Sequence, residues 1–188
     1  MAHRNVRLFL SIFMIISVLV PPSLTSYSAQ AASLAAVPQT LSLTPEVVDP
    51  NQGQATFNSI VVDQEGIPHI AYFDPIDGSP IFQGLMYATK YMDTWYREEV
   101  DENGGSTPSI ALDSAGIVHI AFYDKTNGDL RYATPLEPDG WDIQTIDSVG
   151  NVGASPSLVI DPGDQPHIAY LDTTNGAVKY AKYSGTAW

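Results

Sequence analysis

Turns interrupt the apolar positions of this chain every five to eight residues, and no long stretch has the 3.6-residue period of a helix. The clearest example lies between residues 109 and 147, where four runs predict four short strands. These runs are Ser109–Asp113, Val118–Asp124, Leu130–Thr134 and Trp141–Asp147. Aspartate and glycine fill the connections, as in Asn127-Gly128, a dipeptide typical of tight hairpins. The pattern predicts a four-stranded antiparallel sheet.

The same pattern occurs three times along the chain. Each copy contains a His-Ile-Ala sequence, and the histidines are 50 and then 48 residues apart. A fixed period in this range is typical of repeat architectures, in which each repeat is one structural unit. The repeats cover residues 59–108, 109–156 and 157–188. The first repeat also has a five-residue insertion near Ser79–Gln83, which we expect to lie in a loop.

The second predicted strand of every repeat is apolar on both faces, as in Ile70–Phe73, Ile120–Tyr123 and Ile168–Leu171. A sheet with one solvated face would alternate instead, so these strands must be covered on both sides. Four-stranded sheets stacked face to face around an axis achieve this in a β-propeller. A β-solenoid is the alternative, although its coils are shorter. We therefore predict an all-β fold with about three propeller blades.

The two ends of the repeat region suggest an incomplete ring. Residues 41–49 align with the fourth strands Trp95–Asp101 and Trp141–Asp147, which predicts a lone fourth strand, and the sequence stops at Trp188, where the last fourth strand should begin. Propellers have four to eight blades, so three blades leave open apolar faces. Either the sequence is part of a longer protein, or chains associate head to tail, each donating its first strand to the next.

The N-terminal residues predict secretion. A basic start, thirteen largely apolar residues from Leu8 to Val20, and Ala29-Gln30-Ala31 indicate a signal peptide over residues 1–31. A membrane anchor is the alternative, but thirteen residues are short for a bilayer span. Residues 32–40 form a predicted linker, and no later segment predicts membrane insertion.

Composition narrows the class of partner. Residues 32–188 carry six basic and 21 acidic side chains, a net charge of −15, which disfavours nucleic acid and anionic lipid. The chain has no cysteine, so its stability depends on packing and hydrogen bonds without disulfides.

Several polar residues recur in every repeat, and residues present in each repeat are expected to build it. The histidines should satisfy buried polar groups of the backbone, since three copies in three blades lie too far apart for one metal or catalytic site. The aspartates should cap turns, because their spacing lacks the alternating acidic residues of a calcium loop. The set comprises His69, His119, His167, Asp63, Asp113, Asp161, Asp74, Asp124 and Asp172.

One tryptophan per repeat is a candidate ligand contact: Trp95, Trp141 and Trp188. Aromatic rings at blade edges can stack on sugars, although each position also suits core packing. The acidic cluster Glu98–Glu102 occurs in one repeat only and is a candidate cation site or part of a catalytic carboxylate pair; a solvated face is the alternative.

Residues 41–188 resemble secreted bacterial propeller repeats of the BNR and sialidase-like type. In that group an Asp-box, S-x-D-x-G-x-T-W, precedes the fourth strand. Gly185-Thr-Ala-Trp188 matches its end and Asp139-Gly140-Trp141 is a shortened version, while Ala181 and Tyr183 replace its Ser and Asp. The resemblance implies three carboxylate-binding arginines in a sialidase, but residues 32–188 contain only Arg97 and Arg131. Uncharacterised secreted proteins with "PHIAYYD…NGDLKYA" blades are also similar, and they imply no known activity.

Together these features predict a secreted, non-catalytic binding or scaffold module without a cofactor, whose partner is a glycan or an extracellular protein. The alternative is a fragment of a polysaccharide-acting glycoside hydrolase or lyase. Non-repeated residues such as the Ser79–Gly84 insertion or Glu98 and Glu99 would then carry the chemistry.

Overall fold

The structure is a computed structural model that describes residues 45–50, 55–74, 84–102 and 104–188. Every described residue belongs to one compact unit, Thr44–Trp188. The predicted signal peptide, the linker, residues 41–44 of the predicted first strand and the Ser79–Gln83 insertion lie outside the described residues.

Eleven strands in three antiparallel sheets make up the described residues, which contain no helix, so the all-β prediction is confirmed. Sheet 1 has the order β1-β2-β3-β4, sheet 2 has β5-β6-β7-β8, and sheet 3 has β11-β10-β9. Sheet 1 consists of β1 (Thr56–Val62), β2 (Pro68–Asp74), β3 (Gly84–Tyr91) and β4 (Thr94–Asp101). Sheet 2 consists of β5 (Gly105–Leu112), β6 (Val118–Asp124), β7 (Asp129–Pro135) and β8 (Trp141–Asp147). Sheet 3 consists of β9 (Val152–Ile160), β10 (Pro166–Asp172) and β11 (Ala177–Lys182).

The first strand of each sheet begins before the serine at which the apolar pattern starts. A bulge explains the difference, since Phe57, Thr107 and Ser155 all have positive φ and the pairing register shifts beside each of them. A bulge inserts an unpaired residue and bends the strand, so the residues before it continue the ladder without continuing the apolar alternation. The first strand of each sheet therefore begins earlier than the sequence pattern indicates.

Sheets 1 and 2 pack through one continuous apolar layer. Ala71, Leu85 and Tyr87 of sheet 1 meet Ile120 and Phe122 of sheet 2, and all five side chains are buried. A second layer joins the opposite face of sheet 2 to sheet 3, with Ala121, Leu130, Tyr132, Leu158 and Ile168 among its members. Sheet 2 is thus covered on both faces, as its doubly apolar second strand requires.

Glycine permits the close approach between neighbouring sheets near the start of β5 and of β9. A Cβ on Gly153 would lie 2.5 Å from Leu130 Cα, and one on Gly105 would lie 2.8 Å from Leu85 Cβ. Real side chains do not tolerate such separations, so these positions require glycine on packing grounds. Gly153 also has a φ of +94°, which L-residues rarely adopt.

Residues 45–50 form no strand, in contrast to the prediction for 41–49. Strand geometry depends on a hydrogen-bonded neighbour, and no described strand pairs with this segment. Val48 nevertheless packs against an apolar cluster on the outer face of sheet 1 that contains Tyr72 and Met86. The segment therefore lies on the face where the repeat pattern places a preceding fourth strand.

Candidate ligand-binding cleft

A chain of side-chain contacts recurs in every sheet and uses the repeated aspartate and histidine. In sheet 3, Asp161 Oδ1 accepts the backbone N–H groups of Gly163 and Gln165 at 2.8 and 3.0 Å. Its other oxygen lies 3.0 Å from His167 Nε2, and His167 Nδ1 lies 2.6 Å from the Tyr180 hydroxyl. Because the carboxylate only accepts, Nε2 carries a proton; in the neutral imidazole Nδ1 then accepts from the tyrosine hydroxyl.

The other two sheets repeat this arrangement. His69 lies between Asp63 and Tyr87, with Nδ1 2.6 Å from the Tyr87 hydroxyl, and His119 lies between Asp113 and Tyr132. The histidines therefore contact side chains, where the sequence predicted backbone groups. Each aspartate fixes the first turn with one oxygen and orients the histidine with the other.

Burial sets the protonation state of the middle copy. Desolvation lowers the pKa of His119 below its usual range, although the Asp113 carboxylate opposes that shift. Burial also raises the pKa of Tyr132. The neutral imidazole and the protonated phenol fit a hydrogen bond from the Tyr132 hydroxyl to His119 Nδ1, while Nε2 lies 3.4 Å from Asp113. These contacts support a structural role for the group.

Two of the three tryptophans pack on a tyrosine of the preceding sheet. Trp141 meets Tyr87 edge to face with ring centroids 5.4 Å apart, and Trp188 meets Tyr132 at 4.8 Å. Both indoles belong to the apolar layers between sheets. Such aromatic pairs contribute about 0.5–1.5 kcal/mol beyond the area that they bury.

An aspartate at the end of each fourth strand ties its sheet to the next one. Asp101 of sheet 1 accepts from Arg131 of sheet 2 at 2.6 Å, and Asp147 of sheet 2 accepts from Lys179 and Tyr170 of sheet 3.

Asp49, in the segment that precedes sheet 1, occupies the equivalent place. It accepts from the Tyr72 hydroxyl and from Arg97, both of sheet 1. Asp49 therefore makes contacts like those of the fourth-strand aspartates, although residues 45–50 form no strand.

The aspartates that end the second strands cap the following turn in sheets 2 and 3. Asp124 accepts from the backbone and side-chain nitrogens of Asn127 at 3.1 and 2.8 Å. Asp172 does the same with Asn175, at 2.9 Å for both bonds. Asp74 is buried, but the turn that follows it lies outside the described residues.

Trp95 differs from the other two tryptophans, because among the described residues no tyrosine ring packs on it. Its indole N–H donates to Glu46 Oε2 at 3.1 Å, and Lys90 Nζ lies 5.9 Å from its ring centroid. Lys90 also contacts Glu46 at 2.7 Å and Asp93 at 3.5 Å. The indole thus packs against the apolar cluster that contains Met86 and also lies among two carboxylates and one ammonium group.

These residues line an open cleft of about 570 Å³, together with Gly66, Ile67, Pro68, Tyr91 and Met92. The side chain of Met92 is 81% exposed at its rim. The hairpin turn between β3 and β4 supplies this rim, and Met92 and Asp93 have φ values of +46° and +60°. Positive φ is unfavourable for a residue as bulky as methionine, and strained residues of this kind cluster at binding sites.

The acidic cluster of the first repeat does not form a metal site in the part of the chain that the structure describes. Asp101 is buried and bonded to Arg131. Glu98 and Glu99 pair in register with Tyr87 and Met86 on the edge strand β4. Within the described ranges, no helix is long and apolar enough to cross a membrane.

No protein-family model matches the chain, and no curated protein matches it. Among solved structures, a fucose lectin from Kordia zhangzhouensis in complex with methyl-fucoside is similar with a TM-score of 0.44 and 17% identity, over 70% of this chain and 94% of the lectin. An endo-1,4-β-xylanase from Bacteroides thetaiotaomicron has a TM-score of 0.46 and 14% identity, over 70% of this chain and 50% of the xylanase.

The repeat pattern marks Trp95 as a candidate but does not distinguish it from Trp141 and Trp188. Glu46, Lys90 and Met92 were missed because they lie outside the repeated pattern. The available signal was local: Tyr91-Met92-Asp93-Thr94 joins two strands by a two-residue turn without glycine or asparagine.

Proposed function

We propose that this chain is a non-catalytic carbohydrate-binding protein and that the cleft around Trp95 is its binding site. The observation that carries the proposal is the Trp95 indole, which no described tyrosine covers, in contrast to its counterparts in sheets 2 and 3. An aromatic face flanked by a few oriented polar groups is the usual composition of a small-ligand site.

The polar groups of the cleft suit sugar hydroxyls. Glu46 and Asp93 offer carboxylate oxygens as acceptors, while Lys90 holds both of them and offers a donor. The Glu46 side chain is fixed further by the Trp95 indole N–H, which also fixes the plane of the ring. The pyranose C–H face would pack on the indole, and its hydroxyls would bond to these groups.

Charge favours a neutral ligand. The cleft contains two carboxylates against one ammonium group, and residues 32–188 carry a net charge of −15 from six basic and 21 acidic side chains. An anionic polysaccharide would be repelled at long range by this surface.

For the architecture, we propose that the three stacked sheets are blades of a β-propeller and that the protein is secreted. The face-to-face order of the sheets and their repeated contacts support the first proposal, and the N-terminal sequence pattern supports the second.

The test is calorimetric titration of the secreted protein with neutral oligosaccharides that end in glucose, galactose, mannose, fucose or xylose. Trp95→Ala should weaken binding roughly two- to tenfold, because one stacked ring contributes about 0.5–1.5 kcal/mol. Tyr91→Ala should weaken it as well. Val149→Ala is the matched control, since Val149 is exposed but lies outside the cleft.

Equal affinity of the Trp95→Ala and Val149→Ala variants would refute the placement of the site. No binding of any of these sugars to the folded protein would refute the proposed ligand class. Release of new reducing ends from the same oligosaccharides would contradict the non-catalytic part of the proposal.

A further inference from the structure

We infer that the outer face of sheet 3 binds the outer face of sheet 1 in a second copy of this chain, and that two copies form a head-to-tail dimer. The inference concerns two faces that are exposed in the single chain, and it can be tested without any sugar.

The face that sheet 3 presents to solvent has the residues that sheets 1 and 2 use for binding the next sheet. Tyr180 corresponds to Tyr132, but it is 63% exposed where Tyr132 is 6% exposed. Val178 corresponds to Leu130, and their exposed fractions are 75% and 0%. Two large apolar side chains on a folded sheet are thus uncovered at positions where both other sheets bury theirs.

The outer face of sheet 1 also has apolar side chains that are exposed to solvent. Ile60 corresponds to Ile110 and Leu158, which are 6% and 5% exposed, whereas Ile60 itself is 59% exposed. Val62 on the same strand is also exposed. These are the residues that pack under a preceding sheet in the other two repeats.

A hydrogen bond that is repeated between neighbouring sheets indicates how the two faces would meet. Ser59 Oγ accepts the backbone N–H of Ile110 at 3.2 Å, and Ser109 Oγ accepts that of Leu158 at 2.9 Å. By the same rule Ser157 would accept the N–H of Ile60 in the second copy. The new contact would continue the two interfaces that the chain already contains.

The sizes of the side chains at the proposed interface favour a second copy of this chain as the partner. Inside the chain, Leu85 packs against Gly105 and Leu130 against Gly153. At the proposed interface the corresponding pair is Val178 and Ala55. The leucine loses one carbon and the glycine gains one, so the combined volume is kept, as close packing requires.

The unpaired edge of sheet 3 is consistent with the same head-to-tail arrangement. Sheet 3 has three strands, and the outer edge of β11 pairs with no strand among the described residues. In the second copy, residues 45–49 lie on the outer face of sheet 1, where Asp49 is held by Tyr72 and Arg97. They would supply the fourth strand beside β11 and remove an open edge. Two copies stack six sheets, within the four to eight of propellers.

The geometry also places Tyr180 of the second copy next to Trp95, where Tyr87 and Tyr132 meet their own tryptophans. Tyr180 would therefore cover the Trp95 ring on which the proposed sugar packs, so assembly and sugar stacking at that ring would compete. The two proposals remain distinguishable because the mass of the assembly is measured without any sugar.

The experiment is light scattering of the full secreted chain after size exclusion, over a hundredfold range of concentration. We expect twice the chain mass for the wild type, and the single-chain mass for Tyr180→Asp and for Ile60→Asp. Val178→Asp on the sheet 3 face provides a second variant in case Tyr180→Asp does not fold. Val149→Asp, at an exposed position outside both faces, should stay dimeric.

Mixing the Tyr180→Asp and Ile60→Asp chains should restore a dimer, since one intact interface can form between them. A monomeric wild type would overturn the inference. So would a dimer that Ile60→Asp leaves intact, because that result would indicate pairing of two sheet 3 faces. A mixture of the two folded variants that stays monomeric would likewise exclude the head-to-tail arrangement.

Discussion

Replacing Gly153 by alanine tests whether the sheets are packed as closely as the structure indicates. The new Cβ would lie 2.5 Å from Leu130 Cα and 2.6 Å from Leu130 N, so the clash is with backbone and cannot be relieved by a rotamer change. Overpacking of this kind costs about 1–3 kcal/mol. The φ of +94° adds roughly 1–2 kcal/mol for an L-residue. We therefore expect Gly153→Ala to destabilise the protein by about 2–5 kcal/mol.

Gly116→Ala separates the two contributions. Gly116 has a φ of +78°, yet a Cβ there meets nothing within 4 Å, so this variant should lose only the roughly 1–2 kcal/mol of backbone strain. Urea unfolding at one fixed protein concentration measures both values through the midpoint and slope. If Gly153→Ala unfolds at the same urea concentration as Gly116→Ala, the close approach of β9 to β7 is wrong.

Two further predictions concern the ion pairs between sheets. Arg131→Met introduces the residue that sheet 1 has at the corresponding position, Met86. The variant should lower the free energy of unfolding by about 3 kcal/mol, because the buried Asp101 carboxylate loses its guanidinium partner. The double variant that adds Asp101→Asn should regain much of this loss in the same urea assay, and a double variant no more stable than Arg131→Met alone would contradict the ion-pair account. The second prediction concerns acid: burial alone would raise the pKa of Asp147, but the bonds from Lys179 and Tyr170 outweigh it and hold the pKa below 3.8. A lowered native pKa contributes stability that is present above about pH 3.8 and is lost as the pH falls through the native value. Asp147→Asn should therefore make the decrease in stability below pH 4 shallower, and unchanged acid melting curves would show that Asp147 is not a source of this pH dependence.

The strands were predictable because their signals are local. Paired turn residues such as Asn127-Gly128 and the doubly apolar Ile120–Tyr123 define both the hairpins and the covered faces. The bulges were not predictable, since Phe57, Thr107 and Ser155 share no chemical property that would mark a positive φ. Their backbone conformation follows from the pairing of whole strands.

The candidate site shows the same division between local and tertiary information. The repeat pattern marks Trp95 as one of three equivalent tryptophans, and only the packing of sheets distinguishes it from Trp141. The cation that binds Asp49, in the segment before sheet 1, was likewise not predictable from the repeat pattern. Arg97, which binds Asp49, comes from the fourth strand β4. The cations that bind Asp101 and Asp147, Arg131 and Lys179, come from the third strands of their sheets.

The position of sheet 2 between two neighbours has a consequence for how the molecule opens. The apolar layers join sheet 1 to sheet 2 and sheet 2 to sheet 3, so local stability should follow the number of covered faces, as in linear repeat proteins. Amide hydrogens of β6 would exchange with solvent only when the whole unit unfolds, while those of β10 and β11 could exchange by detachment of sheet 3 alone. A single chain would then begin to unfold from a terminal sheet, and the central hairpins would unfold last.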